Sequence, residues 1–315
     1  MKEQHPAPQP GKAVFSNDSN DSNESNKKAG PRGTVSRGPV FSEFKVSHPF
    51  GAKGRFATAV RLYTGLRRID IRTRLVNDEQ FVRYRVLFPT SIRDGQSVHA
   101  IPFGAMRRPA GIEFPAQSWI DYGNGRRGVA LLIRAPSQIP TSSIGMLLSL
   151  LRSTRIVRYG STGGGYAPGS DSALQLGNER TFDYALVPHA GDWRQAGIYR
   201  DGLEFNHPLV VAAERSHSAN VARRWGFLQV APQNVVVSAL KPGADATAVL
   251  RVYEAAGGAT ATAKVRLSAR VVAAEEVNLM EDPGRKLAVA DDTVQLDLHP
   301  FEIKTVKLRL QPARD

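Results

Sequence analysis

Four carboxylates in loop-like sequence are the first candidates for acid–base chemistry: Glu113, Asp121, Asp192 and Glu204. A hydrolase that works through a nucleophile and an acid/base needs two carboxyl groups about 5 Å apart. Nothing in the spacing of these four residues pairs any two of them. We therefore interpret them as solvent-exposed surface acids.

Three histidines raise the question of a metal site: His189, His207 and His217. Metal-binding histidines usually come at short spacings on one element, or with cysteines or carboxylates close by. These histidines are widely separated, and the chain has no cysteine. We predict no metal site within this chain, and we expect His189, which follows Pro188, to hydrogen-bond the backbone in a turn.

An arginine and two tryptophans could contact a sugar or another polar ligand. The guanidinium of Arg152 offers five donors in a fixed fork, which suits vicinal hydroxyls or a carboxylate. Arg152 could form either a sugar contact or a structural ion pair, and the sequence favours neither. Trp119 and Trp193 could stack on the apolar face of a pyranose, with a place in the core as the alternative.

Short runs of β-branched and aromatic residues must position these side chains. Phe56–Tyr63, Ile69–Val76 and Phe81–Phe88 have the length of strands, and several runs alternate with a period near two. Val129–Arg134 and Met146–Leu151 are almost continuously apolar, which favours strands buried on both faces. A second series predicts further strands at Val235–Leu240, Thr247–Tyr253, Thr262–Leu267, Val294–Leu298 and Thr305–Leu310.

This spacing of strands and turns predicts an all-β chain made of antiparallel sandwiches. Residues 1–35 are polar and of low complexity, so we expect a disordered lead-in. We place a large sandwich domain at residues 36–215 and a smaller C-terminal sandwich at 225–312, separated by the polar segment 214–224. No run is apolar for long enough to span a membrane, and the N-terminus does not read as a secretory signal.

The formal net charge of +13 is concentrated in one half of the chain. All of the excess lies before Trp225, and the remainder is neutral. Such asymmetry can mark nucleic-acid binding. However, Arg72-Thr-Arg74 and Arg83-Tyr-Arg85 alternate in a way that places arginines along the outer faces of sheets. We therefore favour a solvated face or a face that docks on an acidic partner, and predict no nucleic-acid binding.

An ordered set of short motifs resembles a known family. One group lies within Arg180–Pro208: Phe182, Tyr184, Pro188, His189, Asp192, Trp193, Asn206 and Pro208. Others are Tyr63–Asp70, Val86–Pro89, Ile101–Gly104, Arg108–Pro109, Phe114–Trp119, Leu150–Arg152, Leu250–Glu254 with Gly257, and Pro300–Thr305. In this order they resemble the C-terminal region of glycoside hydrolase family 38, the zinc-dependent α-mannosidases.

The resemblance implies a large antiparallel β-supersandwich of the galactose-mutarotase-like kind, followed by a smaller terminal β-sandwich. In that family the nucleophile and the zinc ligands belong to an N-terminal catalytic domain, for which this chain has no room. We therefore assign no catalytic residue and no cofactor to this chain, and expect zinc in the missing domain. The resemblance also implies that Arg152 points towards the active-site cleft.

Taken with this resemblance, the sequence predicts Arg152, Trp119, His189 and Trp193 as carbohydrate-binding residues. We expect the chain to complete the substrate cleft of an α-mannosidase, with a mannose-containing glycan and a separately encoded catalytic domain as partners. The alternative is a stand-alone, non-catalytic carbohydrate-binding or vestigial sandwich. We expect a cytoplasmic protein with no membrane partner, and the surface left by the missing domain would favour homo-oligomers.

Overall fold

The computed structural model describes residues 32–134, 137–142, 145–155, 158–159, 166–167, 171–213, 215, 224–244 and 247–311. The predicted lead-in therefore lies mostly outside the described residues, and the first strand already begins at Arg32. Most of the predicted boundary segment 214–224, including His217, also lies outside them.

The first half of the chain forms fifteen strands within the described residues. They are β1 (Arg32–Arg37), β2 (Phe41–Phe50), β3 (Gly54–Tyr63), β4 (Ile69–Val76), β5 (Val82–Pro89), β6 (Gln96–Ile101), β7 (Gly104–Arg108), β8 (Glu113–Ala116), β9 (Trp119–Gly123), β10 (Arg127–Ile133), β11 (Ser137–Ser142), β12 (Gly145–Ser153), β13 (Arg158–Tyr159), β14 (Tyr166–Ala167) and β15 (Glu179–Ala190). A short 3-10 helix covers Asp171–Leu174.

These strands build a large antiparallel sandwich. Its main sheet has nine strands in the order β1-β2-β3-β4-β15-β10-β9-β6-β7, and a second sheet has four in the order β5-β12-β11-β8. Strands β13 and β14 form a separate pair. The core between the two larger sheets includes Ile120, Leu131, Ile133, Met146 and Tyr184.

The central strands of the nine-stranded sheet are buried on their other face as well. Ala130 and Leu132 of β10 pack there, in a second core, while their neighbours Leu131 and Ile133 face the four-stranded sheet. This confirms the prediction of a strand buried on both faces. The prediction of a strand at Met146–Leu151 is also confirmed, because that segment lies within β12.

Two short helices, neither of which was predicted from the sequence, cover the second core. Helix α1 (Trp193–Ala196) begins with a capping box, in which Asp192 accepts from the backbone N–H of Gln195 and the Gln195 side chain accepts from the N–H of Asp192. Gly197, in the left-handed region at φ 71°, ends α1 and begins α2 (Ile198–Asn206). Neither helix has the length or apolar surface that crossing a membrane requires.

The second half of the chain forms a smaller sandwich. Its strands are β16 (Leu228–Ala231), β17 (Val235–Pro242), β18 (Thr247–Glu254), β19 (Thr260–Leu267), β20 (Arg270–Val277), β21 (Arg285–Leu287), β22 (Val289–Ala290), β23 (Thr293–Leu298) and β24 (Ile303–Gln311). They form sheets in the orders β16-β19-β23-β22 and β17-β18-β24-β20-β21, with Leu250 and Leu308 fully buried between them. The prediction of an all-β chain built from two successive sandwiches is confirmed.

A fully buried carboxylate organises the end of the terminal sandwich that meets the large one. Glu254 accepts hydrogen bonds from the backbone N–H groups of Ala256 at 2.8 Å, Gly257 at 2.7 Å and Phe301 at 3.0 Å, and from the amide of Asn234 at 3.0 Å. It therefore ties three turns together. A Cβ on Gly257 would lie 2.6 Å from the Phe301 ring, which explains why glycine follows Glu254 at this spacing.

These turns pack directly on the large sandwich. The rings of Tyr253 and Phe103 meet edge to face with centroids 5.3 Å apart. Arg194 of α1 donates to the Ala256 carbonyl at 2.7 Å, and Ala255 belongs to the same core as the two helices. The two sandwiches thus share a packed interface.

Candidate functional site

Arginines gather on the outer surface of the four-stranded sheet. Val86 and Phe88 of β5 pack against the core, so the alternate residues Arg83 and Arg85 point away from it, as the alternating sequence predicts. A β-bulge between Ser149 and Leu151 shifts the register of β12 and places Arg152 directly opposite Arg83. This register brings the predicted Arg152 onto the same surface.

One carboxylate lies among these arginines. Glu113 of β8 accepts from Arg83 at 2.6 Å and from the Ser149 hydroxyl at 2.9 Å, both at Oε1, while Arg85 lies 3.6 Å from Oε2. The Arg83 and Glu113 side chains are 24% and 21% exposed. We call the group Arg83, Arg85, Glu113 and Arg152 the arginine face. It offers several donors beside one acceptor on an accessible surface.

The second polar cluster is a buried pair on the opposite side of the nine-stranded sheet. His189 Nε2 lies 2.7 Å from Asp121 Oδ1, with the two side chains 0% and 4% exposed. The other ring nitrogen, Nδ1, lies 3.3 Å from the Ala190 carbonyl. A Cβ on Gly128 would lie 2.4 Å from the imidazole, so only glycine leaves room for the ring.

Both members of this pair have perturbed pKa values. Burial, the largest influence, lowers the pKa of His189, but the hydrogen bond and the charge of Asp121 outweigh it and raise the pKa overall. Burial, again the largest influence, raises the pKa of Asp121 against the opposing pull of His189. Both ring nitrogens face acceptors, which fits a protonated imidazole beside a carboxylate.

These contacts correct two interpretations made from the sequence. Asp121 is 3% exposed and paired, so it is no surface acid; Glu113 is paired with arginines. Asp192 caps α1, whereas Glu204 is an exposed acid on α2, as expected. His189 does reach a backbone carbonyl, but it lies in β15 rather than in a turn, and its shorter contact is with Asp121.

The two predicted tryptophans lie in the second core. Trp119 and Trp193 are each 3% exposed, and their ring centroids are 5.1 Å apart. A buried ring has no free face on which a sugar could stack, so the core alternative accounts for their position. The structure therefore separates Arg152, on the outer surface of the large sandwich, from Trp119, His189 and Trp193 on the other side of the nine-stranded sheet.

The donor set of the described residues does not fit zinc. No group of three or more histidine, aspartate or glutamate side chains gathers within the described ranges in a way that could hold a metal ion. His189 and Asp121 face each other inside the fold, and their contacting atoms are already engaged.

A large antiparallel sandwich followed by a smaller one defines the class as a tandem β-sandwich protein. Two family models match: "Glycosyl hydrolases family 38 C-terminal domain" over residues 14–155, and "Glycosyl hydrolases family 38 C-terminal beta sandwich domain" over residues 234–306. Together these spans cover more than half of the 315 residues. The chain belongs to glycosyl hydrolase family 38 and corresponds to its C-terminal region.

Curated relatives agree with this assignment. The chain is 29% identical to alpha-mannosidase 2C1 of Homo sapiens over 243 residues, which cover 72% of this chain and 22% of that protein. The match to alpha-mannosidase 2C1 of Mus musculus is also 29% identical, over 242 residues, with the same coverage. The chain thus spans about a fifth of the length of these relatives.

Two solved structures from Enterococcus faecalis share the fold. A glycosyl hydrolase family 38 protein superposes with a TM-score of 0.72 at 17% identity, covering 88% of this chain and 36% of that one. An alpha-mannosidase from strain V583 gives a TM-score of 0.71 at 17% identity, with 88% and 35% coverage. At this identity the likeness concerns the fold alone.

Proposed function

We propose that this chain is the C-terminal portion of an α-mannosidase and completes the substrate cleft of a separately encoded catalytic domain. The observation that carries the proposal is the arginine face, which presents Arg152 on an accessible surface of a family 38 sandwich. The substrate would be a terminal α-mannoside of a glycan, met in the cytoplasm.

The chemistry of the arginine face supports sugar binding. Each sugar hydroxyl can donate one hydrogen bond and accept others, and it is held best between a donor and an acceptor. Guanidinium groups supply the donors, and Glu113 supplies the acceptor. Glu113 also restrains Arg83 and Arg85, which reduces the side-chain entropy lost on binding.

The role proposed for this chain is binding and orientation. Bond cleavage would belong to the catalytic domain, whose zinc would supply the metal chemistry, while Arg152 would hold sugar hydroxyls at the edge of the cleft. Positioning of this kind affects the rate because the reacting atoms must be held close together and aligned.

Reconstitution tests the proposal. Hydrolysis of a chromogenic α-mannoside is measured with the purified chain, with a family 38 zinc-domain protein encoded beside it, and with the two mixed. We expect turnover only in the mixture, and a loss of about tenfold or more in kcat/KM with Arg152→Gln. Arg74→Gln, which removes an exposed arginine from β4, is the matched control. No turnover in the mixture, or equal effects of the two variants, would refute the proposal.

A further inference from the structure

The third tryptophan of the chain differs from the other two in its exposure. Trp119 and Trp193 are buried in the second core, whereas Trp225 is 68% exposed. Its ring packs beside that of Phe227, with centroids 6.1 Å apart, and Phe227 packs in turn against the core of the terminal sandwich. Trp225 is therefore supported on one side while most of its surface faces solvent. Tryptophan is enriched where proteins contact ligands and partners.

Trp225 lies at the edge of a groove in the terminal sandwich. The groove has a volume of about 850 Å³, which is within the range of ligand sites. Ser268, which lines it, donates from its hydroxyl to the Gly226 carbonyl at 2.7 Å. The Ser268 backbone N–H donates to the Phe227 carbonyl at 2.9 Å. These two bonds hold the backbone that follows Trp225 against the wall of the groove.

Several polar side chains in the groove are available to a ligand. Gln229 of β16 and Arg266 of β19 pair directly opposite each other, and Arg270 follows across the β19–β20 turn. Asp291 lies at the tip of the β22–β23 hairpin. All four are exposed, and within the described residues none of their side chains makes a hydrogen bond or an ion pair. The groove thus presents two guanidinium groups and an amide as donors, and a carboxylate as an acceptor.

The acidic wall of the groove is held in place by Asp292. Its Oδ1 accepts from the Val271 N–H at 2.9 Å, and its backbone carbonyl accepts from the Leu267 N–H at 3.1 Å. Both bonds tie the β22–β23 hairpin to the strands that meet at the β19–β20 turn. The two walls are therefore preorganised, which reduces the entropy lost when a ligand binds.

The balance of charge specifies the class of ligand. Two arginines and two aspartates line the groove, so an anion or a cation would be attracted by one wall and repelled by the other. A neutral ligand with hydroxyl groups suits both walls, because each hydroxyl can donate to a carboxylate and accept from a guanidinium. Val272 and Val289 add apolar surface, and the Trp225 ring offers a flat face to the apolar side of a sugar ring.

We propose that this groove, with Trp225 at its edge, binds a neutral oligosaccharide at a site separate from the substrate cleft. Strand β19 runs for eight residues, roughly 25 Å, from the turns around Glu254 to the groove. The groove therefore lies at the end of the terminal sandwich opposite the interface with the large one. The site goes beyond the proposed function and does not depend on it, and only the choice of a mannose oligosaccharide as the probe rests on that function.

Titration of the whole chain with α-linked mannotriose, followed by tryptophan fluorescence, tests this inference. Trp119 and Trp193 are shielded by burial, so stacking on Trp225 should give a saturable change in emission. Because the ligand is neutral, the affinity should be nearly independent of salt concentration, and inorganic phosphate should not compete. A signal that salt or phosphate abolishes would identify an anion site and contradict the assignment to a neutral sugar.

Variants are compared by calorimetry, which does not depend on the tryptophan signal. Trp225→Ala and Arg266→Gln should each weaken mannotriose binding about three- to tenfold. Both side chains are exposed, so the urea midpoints of the variants should match that of the wild type. Met280→Ala, at a position 80% exposed, and Arg74→Gln, on the large sandwich, are the matched controls and should change binding little.

Absence of mannotriose binding, or equal effects of the groove variants and their controls, would overturn the inference. The titration needs no catalytic domain. Mannotriose binding without reconstituted mannosidase activity would keep the groove and reject the proposed function, whereas activity without such binding would do the reverse. Trp225→Ala should leave turnover of the small chromogenic mannoside in the mixture unchanged, since the groove lies outside the cleft.

Discussion

The two sandwiches bury a carboxylate in different ways. In the terminal sandwich, Glu254 is fully buried and is surrounded by backbone N–H groups and one side-chain amide. In the large sandwich, Asp121 is 3% exposed and faces a single imidazole, that of His189. Burial of a charge is costly unless it is paired and hydrogen-bonded, and each site meets this requirement by its own route.

The two sites differ in whether the hydrogen-bond donors to the carboxylate can titrate. Backbone amides do not titrate near neutral pH, so the donors around Glu254 are permanent and join three turns into one unit. The partner of Asp121 can lose its proton, so the strength of that pair depends on pH. The donors around Glu254 are therefore fixed backbone and amide groups, whereas the donor to Asp121 is itself titratable.

The largest effect should come from removing the permanent link. Glu254→Ala would leave at least four partly buried donors without their acceptor, which we expect to cost about 3–5 kcal/mol of stability. Urea unfolding would measure this loss. Glu204→Ala, at an exposed position on α2, is the matched control and should change stability by less than about 0.5 kcal/mol. Equal midpoints for the two variants would contradict the role given to Glu254.

A smaller effect is expected from crowding the titratable pair. In Gly128→Ala the new Cβ would lie 2.4 Å from His189 Cε1 and 2.5 Å from Nε2, which forces the ring or the strand to move. Overpacking of this kind costs about 1–3 kcal/mol. Thermal unfolding compared with Gly226→Ala, where a Cβ meets nothing within 4 Å, would measure it. If Gly128→Ala left the unfolding temperature unchanged, the His189–Asp121 pair would be loosely packed.

The pH dependence of stability distinguishes the two sites directly. The pKa of His189 is raised in the folded state, so its contribution is fully present below its unfolded pKa, near 6.5, and is lost as the pH rises through the folded value. The raised pKa of Asp121 also makes the stability fall as the pH rises, starting at a lower pH than for His189. The reason is the same, because the folded state holds that proton more tightly than the unfolded state does.

We therefore expect the stability advantage of the wild-type protein over the double variant Asp121→Asn, His189→Gln to shrink between about pH 6 and pH 9. Urea midpoints across this range would measure it. An advantage that grows with pH would have the wrong sign, and a constant one would show that the pair does not titrate in this range.

The smallest effect should come from an exposed ion pair. Arg72 contacts Asp183 at 2.6 Å, but the arginine side chain is 49% exposed, so water and salt screen the pair. We expect Arg72→Gln to cost less than about 1 kcal/mol, and less still in high salt. A loss comparable to that of Glu254→Ala would show that burial does not set the order of these effects.

Local patterns predicted the strands well, because alternation depends on neighbouring residues. The predicted run Ile69–Val76 has the same bounds as β4. Asp192 followed three residues later by Gln195 is a signal for the start of a helix, although no helix was predicted there. With that signal, α1 could have been found from the sequence.

The polar clusters could not be predicted from the sequence because their members are distant along the chain. Asp121 and His189 lie 68 residues apart and meet only because β10 pairs with both β9 and β15. The alternation around Arg83 predicted which face it occupies, but its contact with Glu113, 30 residues away, depends on sheet order. Sheet order in this fold is not encoded in any local spacing.

The most direct test of the central claim is the rate of α-mannoside hydrolysis by a fixed amount of the zinc-domain protein as this chain is added. If the chain completes the cleft, the rate should rise from the baseline and saturate at a fixed stoichiometry, and Arg152→Gln should lower the plateau. A rate that stays at the baseline at every concentration would contradict the account.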